Sequence, residues 1–420
     1  MNFLTQAGQI ISLSDQAIGR GGEGRVLPVA GSPQIVAKLF HVPTQARWWK
    51  VALLLADPLP QTGNHPVVVW PSEVLFSNVT PQPQFAGYLM PRARAAHPIF
   101  NFYVMSIRRV KFPAFDYRYL IYCARNLAAA VALAHQHGHV LGDLNESNVL
   151  VGLNALVQLI DVDSWQVFDR QRHIVYPCGV GKGELLPPEL QGQDLARTVR
   201  STCHDNFALA VLLFKLLNEG THPFDGVYRG NGEPPALEAR IAAGTSPYLD
   251  ASGYWSPKPL AVPFNSLHWR LHRLFIQAFA TGHSQPQMRP TASAWQEALD
   301  QAIGDLRRCT SHPHHWCWTG HCLWCERTHL LGGLDPFPSP PQVSQVQSPA
   351  PAAPVQQPAP VHQPQAPQPL AGLLDLLDSI GEFGRFVGQK LGVPDFVAMI
   401  LVFASVSVIA LLIIVLLFGH

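Results

Sequence analysis

Residues 139–166, HVLGDLNESNVLVGLNALVQLIDVDSWQ, set Asp143, Asn148 and Asp161 among apolar, strand-like runs at Val149–Val151 and Val157–Ile160. Burying a charge there without a partner would cost several kcal/mol, so any fold this chain adopts must give these groups something to bind. The chain is long enough to build one. Its 420 residues, 47% apolar and 14% charged, can bury a full core, and the length suggests two or three units. A formal net charge of +1 gives no reason to expect a nucleic-acid footprint or a strongly acidic partner.

A second polar constellation lies near the start. IGRGGEGRV (18–26) spaces Gly19, Gly21 and Gly24 as GxGxxG, and QIVAKLF (34–40) follows a turn-like PVAGSP. Glycines let backbone N–H groups approach phosphate oxygens closely. A dinucleotide-binding fold needs a helix directly after the glycines, whereas Arg25–Val29 and Gln34–Leu39 read as two strands of a hairpin. Lys38 alternates with Val36 on the second strand, which aims its ammonium back toward the glycines. A lone strand lysine is commonly a snorkelling edge residue; the glycine loop beside it favours phosphate binding.

Composition breaks sharply toward the C-terminus. From Asp335 to Leu370 the chain carries twelve prolines and eight glutamines, which predicts an extended, disordered linker. Residues 371–391 place Leu373, Leu377, Ile380, Phe383 and Val387 at three- and four-residue steps, the pattern of an amphipathic helix on a membrane surface. Phe396–Phe418 is uncharged, and as a helix it would span roughly 35 Å, enough for a transmembrane segment. Arg385 and Lys390 precede it, and the N-terminus has no signal-peptide pattern, so the folded body is expected in the cytosol on a C-terminal membrane anchor. The linker would let that body reach up to about 100 Å from the membrane, where it could meet a second copy of itself.

Four of the seven cysteines, Cys309, Cys317, Cys322 and Cys325, crowd into CTSHPHHWCWTGHCLWC (309–325). In a reducing compartment this suggests a metal site in preference to disulfides. Cys322-x-x-Cys325 is a zinc knuckle, and Cys309 with a histidine would complete a tetrahedral, structural site; His312 gives a Cys-x-x-His spacing, and His315 is the other candidate. Few basic residues surround Trp316, Trp318 and Trp324, so these rings are expected to pack on the neighbouring domain and not to stack on bases. HQHGH (135–139) is metal-like in composition, but its place at a helix end favours capping.

The order of these motifs resembles the protein-kinase superfamily over about residues 10–303. Gly19, Gly21, Gly24 and Val26 match the glycine-rich loop, and Ile35-Val36-Ala37-Lys38 the strand of the phosphate-binding lysine. Asp143 and Asn148 match the catalytic loop and Asp161 the metal-binding aspartate. Pro187-Pro188-Glu189 resembles the end of the activation segment, Asp205 the aspartate opening the central helix, Arg289 the partner of Glu189, and GYLMPR (87–92) the strand and hinge between lobes. LGDLNESNVLV, LIDVDSWQ, LLPPELQG and DNFALAVLLF further resemble a bacterial branch, some of whose members carry zinc knuckles, and its cysteine-then-histidine pattern points to His315 as the fourth zinc ligand.

The resemblance implies an α+β, two-lobed kinase-like fold, with a small lobe of about 10–90 and a large lobe of about 91–303. A zinc segment (304–334), the linker (335–370), the amphipathic helix (371–391) and the transmembrane helix (396–418) would follow. It implies ATP over the glycine loop with Val26, Ala37, Lys38 and Met90 lining its site, Mg²⁺ on Asn148 and Asp161, and Asp143 accepting the proton of a protein hydroxyl. Glu189, Asp205 and Arg289 would be structural. Four departures stand out. Leu141-Gly142-Asp143 lacks the arginine that contacts a phosphorylated activation loop, which argues against control by phosphorylation there. Asn145 stands where a lysine is usual, Asp163 replaces a glycine, and no glutamate occurs between Lys38 and Pro60 to pair with the lysine. Two functions are therefore carried forward: an active Ser/Thr-type kinase, and a nucleotide-binding pseudokinase acting as a membrane-tethered scaffold.

Overall fold

The computed structural model describes residues 1–60, 66–77, 82–93, 96–250 and 252–339. The chain divides into Met1–Val343 and Ser344–His420, and the described residues lie in the first unit. The rest of the expected linker (340–370), the amphipathic helix and the apolar run 396–418 lie outside the described residues. Among the described residues no helix is long and apolar enough to cross a membrane.

The small lobe is a seven-stranded antiparallel sheet. Its strands are β1 (Asn2–Thr5), β2 (Ile10–Ser12), β3 (Gly19–Arg20), β4 (Gly24–Val29), β5 (Ser32–Phe40), β6 (Glu73–Ser77) and β7 (Phe85–Pro91), in the spatial order β2-β1-β6-β7-β5-β4-β3. The domain begins earlier than the expected residue 10, because β1 pairs Phe3 with Ser77 and Leu4 with Phe76. Alternation fixes the faces of β5. Ala37 and Leu39 point into a cluster with Leu27, Leu75 and Leu89, whereas Val36 and Phe40 join Tyr88, Met90 and Val51 on the other face. Val51 comes from helix α1 (Gln45–Ala56), which Thr44 caps by accepting a hydrogen bond from the Arg47 amide.

Strand β8 (Ala96–Pro98) opens the large lobe, followed by short helices α2 (Phe100–Tyr103) and α3 (Met105–Lys111) and by α4 (Tyr117–Gln136). Strands β9 (Val149–Gly152) and β10 (Val157–Leu159) complete a three-stranded sheet with β8, and β11 (Val167–Asp169) pairs with β12 (Ile174–Tyr176). Helix α5 (Thr202–Leu217) buries every residue from Asp205 to Leu217 except Lys215, so it runs through the core as an element apolar on nearly all sides. The helix Ala292–Gly304 packs against α4.

The cysteine-rich extension is part of this body. Trp324 is fully buried, its ring 4.5 Å from Tyr117 and 4.6 Å from Phe337. Trp318 donates to the Ala302 carbonyl at 2.7 Å, and Arg118 lies 4.1 Å over the Trp316 ring. The buried guanidinium of Arg108 donates to the Pro336 carbonyl (3.1 Å) and covers the Phe337 ring. The first residues of the expected disordered linker, Asp335–Phe337, are thus ordered: proline count alone hid one buried aromatic. Replacing Trp324 with alanine should cost roughly 3–5 kcal/mol, read as a lower denaturation midpoint of the whole body. A loss below about 1 kcal/mol would mean that the extension folds apart from the large lobe.

Candidate functional site

The glycine loop is the turn of the β3–β4 hairpin, where Gly19 faces Val26 and the Gly21 amide donates to the Gly24 carbonyl at 2.9 Å. A side chain at Gly24 would overlap the Leu39 carbonyl of β5, so that glycine serves the sheet, while a Cβ at Gly21 would meet nothing. The loop tip is held to helix α1 by Glu23, which pairs with Arg47 at 2.9 Å.

Lys38 lies opposite Val26 on β4 and Tyr88 on β7. Its face carries Val36, Tyr88 and Met90. Ala37, expected to line an ATP site, points to the far side of the sheet. The correction follows from strand parity: Val36, two residues before Lys38, shares the lysine's face and Ala37 cannot.

The ammonium of Lys38 meets two carboxylates. It pairs with Asp161 and donates to both oxygens of Asp163, at 2.7 and 2.8 Å. Asp163 also accepts from the Tyr88 hydroxyl at 2.6 Å. Burial works against the ammonium, but Asp163 and then Asp161 outweigh it, so the Lys38 pKa stands above its usual value. Asp161 is pushed up by burial and by Asp163, only partly relieved by Lys38. One positive and two negative charges leave the pocket an anion in excess, which a cation would satisfy. The Asp161 backbone is left-handed (φ +65°), a conformation that costs a non-glycine residue roughly 1–2 kcal/mol. Ser164 holds it, donating from its hydroxyl (2.7 Å) and its amide (3.0 Å) to the Asp161 carbonyl.

Asn148 approaches from the start of β9. Its Nδ2 donates to the Asp143 carbonyl (3.0 Å) and to Asp143 Oδ2 (3.1 Å), which turns the amide oxygen of Asn148 away from Asp143. The Ile160 amide donates to the Asn148 carbonyl at 3.0 Å, tying the loop of Asp143 and Asn148 to the segment that carries Asp161. An amide oxygen and an electron-rich carboxylate form the hard oxygen donor set that suits Mg²⁺. Asn145 serves the loop itself: its Nδ2 donates to the Asp143 carbonyl (3.3 Å) and its Oδ1 accepts from the Ser147 amide (2.8 Å).

Sequence reasoning missed three residues. Arg200 donates to the Gly142 carbonyl and to the Val180 carbonyl (2.6 Å), joining the loop that carries Asp143 to the segment around Val180. Gln166 exchanges two hydrogen bonds with the Arg200 backbone, at 2.7 and 2.9 Å. Lys50, buried on α1, donates to the Ser164 carbonyl at 3.1 Å and the Pro177 carbonyl at 3.4 Å. The structural trio falls in place around them. Asp205 accepts from the Leu141 and Gly142 amides (2.8 and 2.7 Å) and pairs with His135 (3.0 Å), while Arg289 forms a two-pronged pair with Glu189 (2.6 and 2.7 Å).

The second cluster brings together Cys309, His315, Cys322 and Cys325, whose ligand atoms all lie within 4.8 Å of one another. Cys309 and Cys325 sulfurs are 3.7 Å apart, and His315 Nδ1 is 3.5 and 3.4 Å from Cys322 and Cys325. A zinc tetrahedron with Zn–S of about 2.3 Å and Zn–N of about 2.0–2.1 Å has edges of roughly 3.5–3.8 Å, so the donor set fits that ion. His315 Nε2 meets Asp335 at 2.9 Å, the carboxylate–histidine arrangement that orients a metal-binding imidazole. His312 is exposed and stacks on the His315 ring at 4.8 Å, outside the four-ligand group. Purified protein should carry one equivalent of zinc by elemental analysis. Cys322→Ser should release it and open 309–339 to protease; metal-free protein with fully reactive cysteines and native protease resistance would contradict the site.

The chain is 35% identical over 315 residues to protein kinase YegI of Escherichia coli O157:H7, covering 73% of this chain and 48% of that protein. It is 34% identical over 332 residues to protein kinase YegI of Escherichia coli strain K12, covering 77% and 50%. It therefore spans about half the length of the curated relatives it matches. A solved structure, the ROP18 kinase domain in complex with AMP-PNP and sucrose, aligns at 16% identity and a TM-score of 0.48 over 72% of this chain and 84% of that one. No family model matches. The chain is kinase-like, similar over most of its folded body to bacterial proteins that bear the kinase name.

Proposed function

We propose that the protein is an ATP-dependent protein kinase of the Ser/Thr type. The observation that carries this reading is the convergence of Lys38, Asp143, Asn148 and Asp161 from a small-lobe strand, the catalytic loop and the loop after β10. Phosphoryl transfer needs placement and charge neutralisation more than covalent chemistry. Backbone amides of the glycine loop would cover the phosphates, with Val26, Val36 and Met90 against the base and Lys38 against the α/β-phosphates. Mg²⁺ on Asn148 and Asp161 would neutralise the charge of the phosphates. Asp143, oriented by Asn148, would take the proton of the attacking hydroxyl. The uncharged run 396–418 would tether this unit to a membrane, the preceding amphipathic stretch lying on its surface and the body facing the cytosol, with self-association favoured along that surface.

A second reading, a nucleotide-binding pseudokinase scaffold, draws on Asn145: this position supplies loop hydrogen bonds in place of an ammonium. Labelled ATP separates the two. The full chain with Mg²⁺ should transfer the γ-phosphoryl group to itself or to a generic acceptor, and Asp143→Asn should lower the rate at least about 100-fold with nucleotide binding retained. Nucleotide binding without transfer by the wild type would favour the scaffold. Binding unaffected by Lys38→Ala and Asp161→Ala together would contradict both. For the tether, deletion of 396–420 should release the protein from carbonate-washed membranes, and a full chain that stays in the soluble fraction without detergent would refute it.

A further inference from the structure

Helix α1, QARWWKVALLLA, contains no acid. Its buried cation, Lys50, faces the backbone carbonyls of the metal-binding loop and the activation segment. Lys38 nevertheless has a buried counter-ion, and it comes from the same loop as Asp161. The two carboxylates differ in freedom. Asp161 is 31% exposed and uses one oxygen on Lys38, so it can turn to a cation. Asp163 is 3% exposed, and its oxygens are taken by two bonds from Lys38 and one from Tyr88, so it cannot.

We propose that Asp163 is the positioning residue for Lys38, doing from the metal-binding loop what an acid on helix α1 would otherwise do. The inference rests on the phosphotransfer reading of the cleft. When Asp161 engages a cation, Lys38 keeps one carboxylate partner and stays aimed at the phosphates. Both lysines then meet the same loop, Lys38 on β5 through the Asp163 carboxylate and Lys50 on α1 through the Ser164 carbonyl. Helix α1 fixes the loop through Lys50 and does not hold Lys38 itself, so a displacement of the helix leaves the lysine's ion pair intact. The other groups around the ammonium are Asp161, the Tyr88 hydroxyl and the Phe40 ring, 5.8 Å away.

Two readouts on the full chain test this. The first is the rate at which an amine-selective acylating reagent labels Lys38 at one fixed pH, followed by peptide mass: a lysine released from its buried partner should be labelled several-fold faster in Asp163→Asn and at the wild-type rate in Asp163→Glu. The second is the steady-state KM for Mg–ATP, which should rise about tenfold in Asp163→Asn and recover in Asp163→Glu. An unchanged Lys38 labelling rate in Asp163→Asn, with the variant still folded by circular dichroism, overturns the proposal, as does failure of the glutamate to rescue either readout. A wild type that transfers no phosphate, yet shows the faster Lys38 labelling in Asp163→Asn and its reversal in Asp163→Glu, supports the placement of the lysine while refuting the kinase reading.

Discussion

The ammonium of Lys38 between Asp161 and Asp163 is the contact on which the cleft depends. It joins the small-lobe sheet to the loop after β10 across more than 120 positions of sequence. A buried lysine with a single carboxylate would form a neutral pair and need nothing more. Two carboxylates leave the pocket an anion in excess, and burial together with the neighbouring Asp163 raises the proton affinity of Asp161, an imbalance that a cation would relieve. The left-handed backbone of Asp161 is tolerable because Ser164 ties its carbonyl down from both hydroxyl and amide.

A second layer holds the loops that carry these groups. Asp205, at the buried start of α5, accepts the Leu141 and Gly142 amides, and Arg200 spans the Gly142 and Val180 carbonyls. Glu189 and Arg289 lock the Pro187-Pro188-Glu189 turn to the large lobe; burial alone would raise the Glu189 pKa, but the two bonds from Arg289 bring it below the usual range. These fixed partners order the Leu141-Gly142-Asp143 loop and the segment around Val180 through side chains of the chain itself. The cysteine-rich extension braces the far side of the same lobe. Glu219 pairs with both Arg108 and Arg327, which draws α3 and the helix Leu323–Leu330 together.

Much of this was legible in the sequence because it is local. GxGxxG followed by two short apolar runs specifies a hairpin, and Asp143 with Asn148 five residues on lies within one loop. Cys309, Cys322, Cys325 and His315 converge because so few residues separate them. What was not legible depends on parity or on distance in sequence. The resemblance puts Ala37 in the ATP site, whereas strand alternation gives the Lys38 face to Val36. Asp163 looked like a misplaced glycine until the fold set it 2.7 Å from Lys38, and the missing acid of helix α1 and the extra acid of the loop prove to be one feature. The linker misled at its start because twelve prolines outweighed one phenylalanine, Phe337, which tertiary packing buries.

The most direct test is a crystal structure of the chain with Mg²⁺ and a non-hydrolysable ATP analogue. The account predicts the metal on the Asn148 amide oxygen and Asp161, the phosphates under the glycine loop, and Lys38 on the α/β-phosphates with its contact to Asp163 retained. A nucleotide bound elsewhere, or one bound in the cleft with Lys38 parted from Asp163, would contradict it.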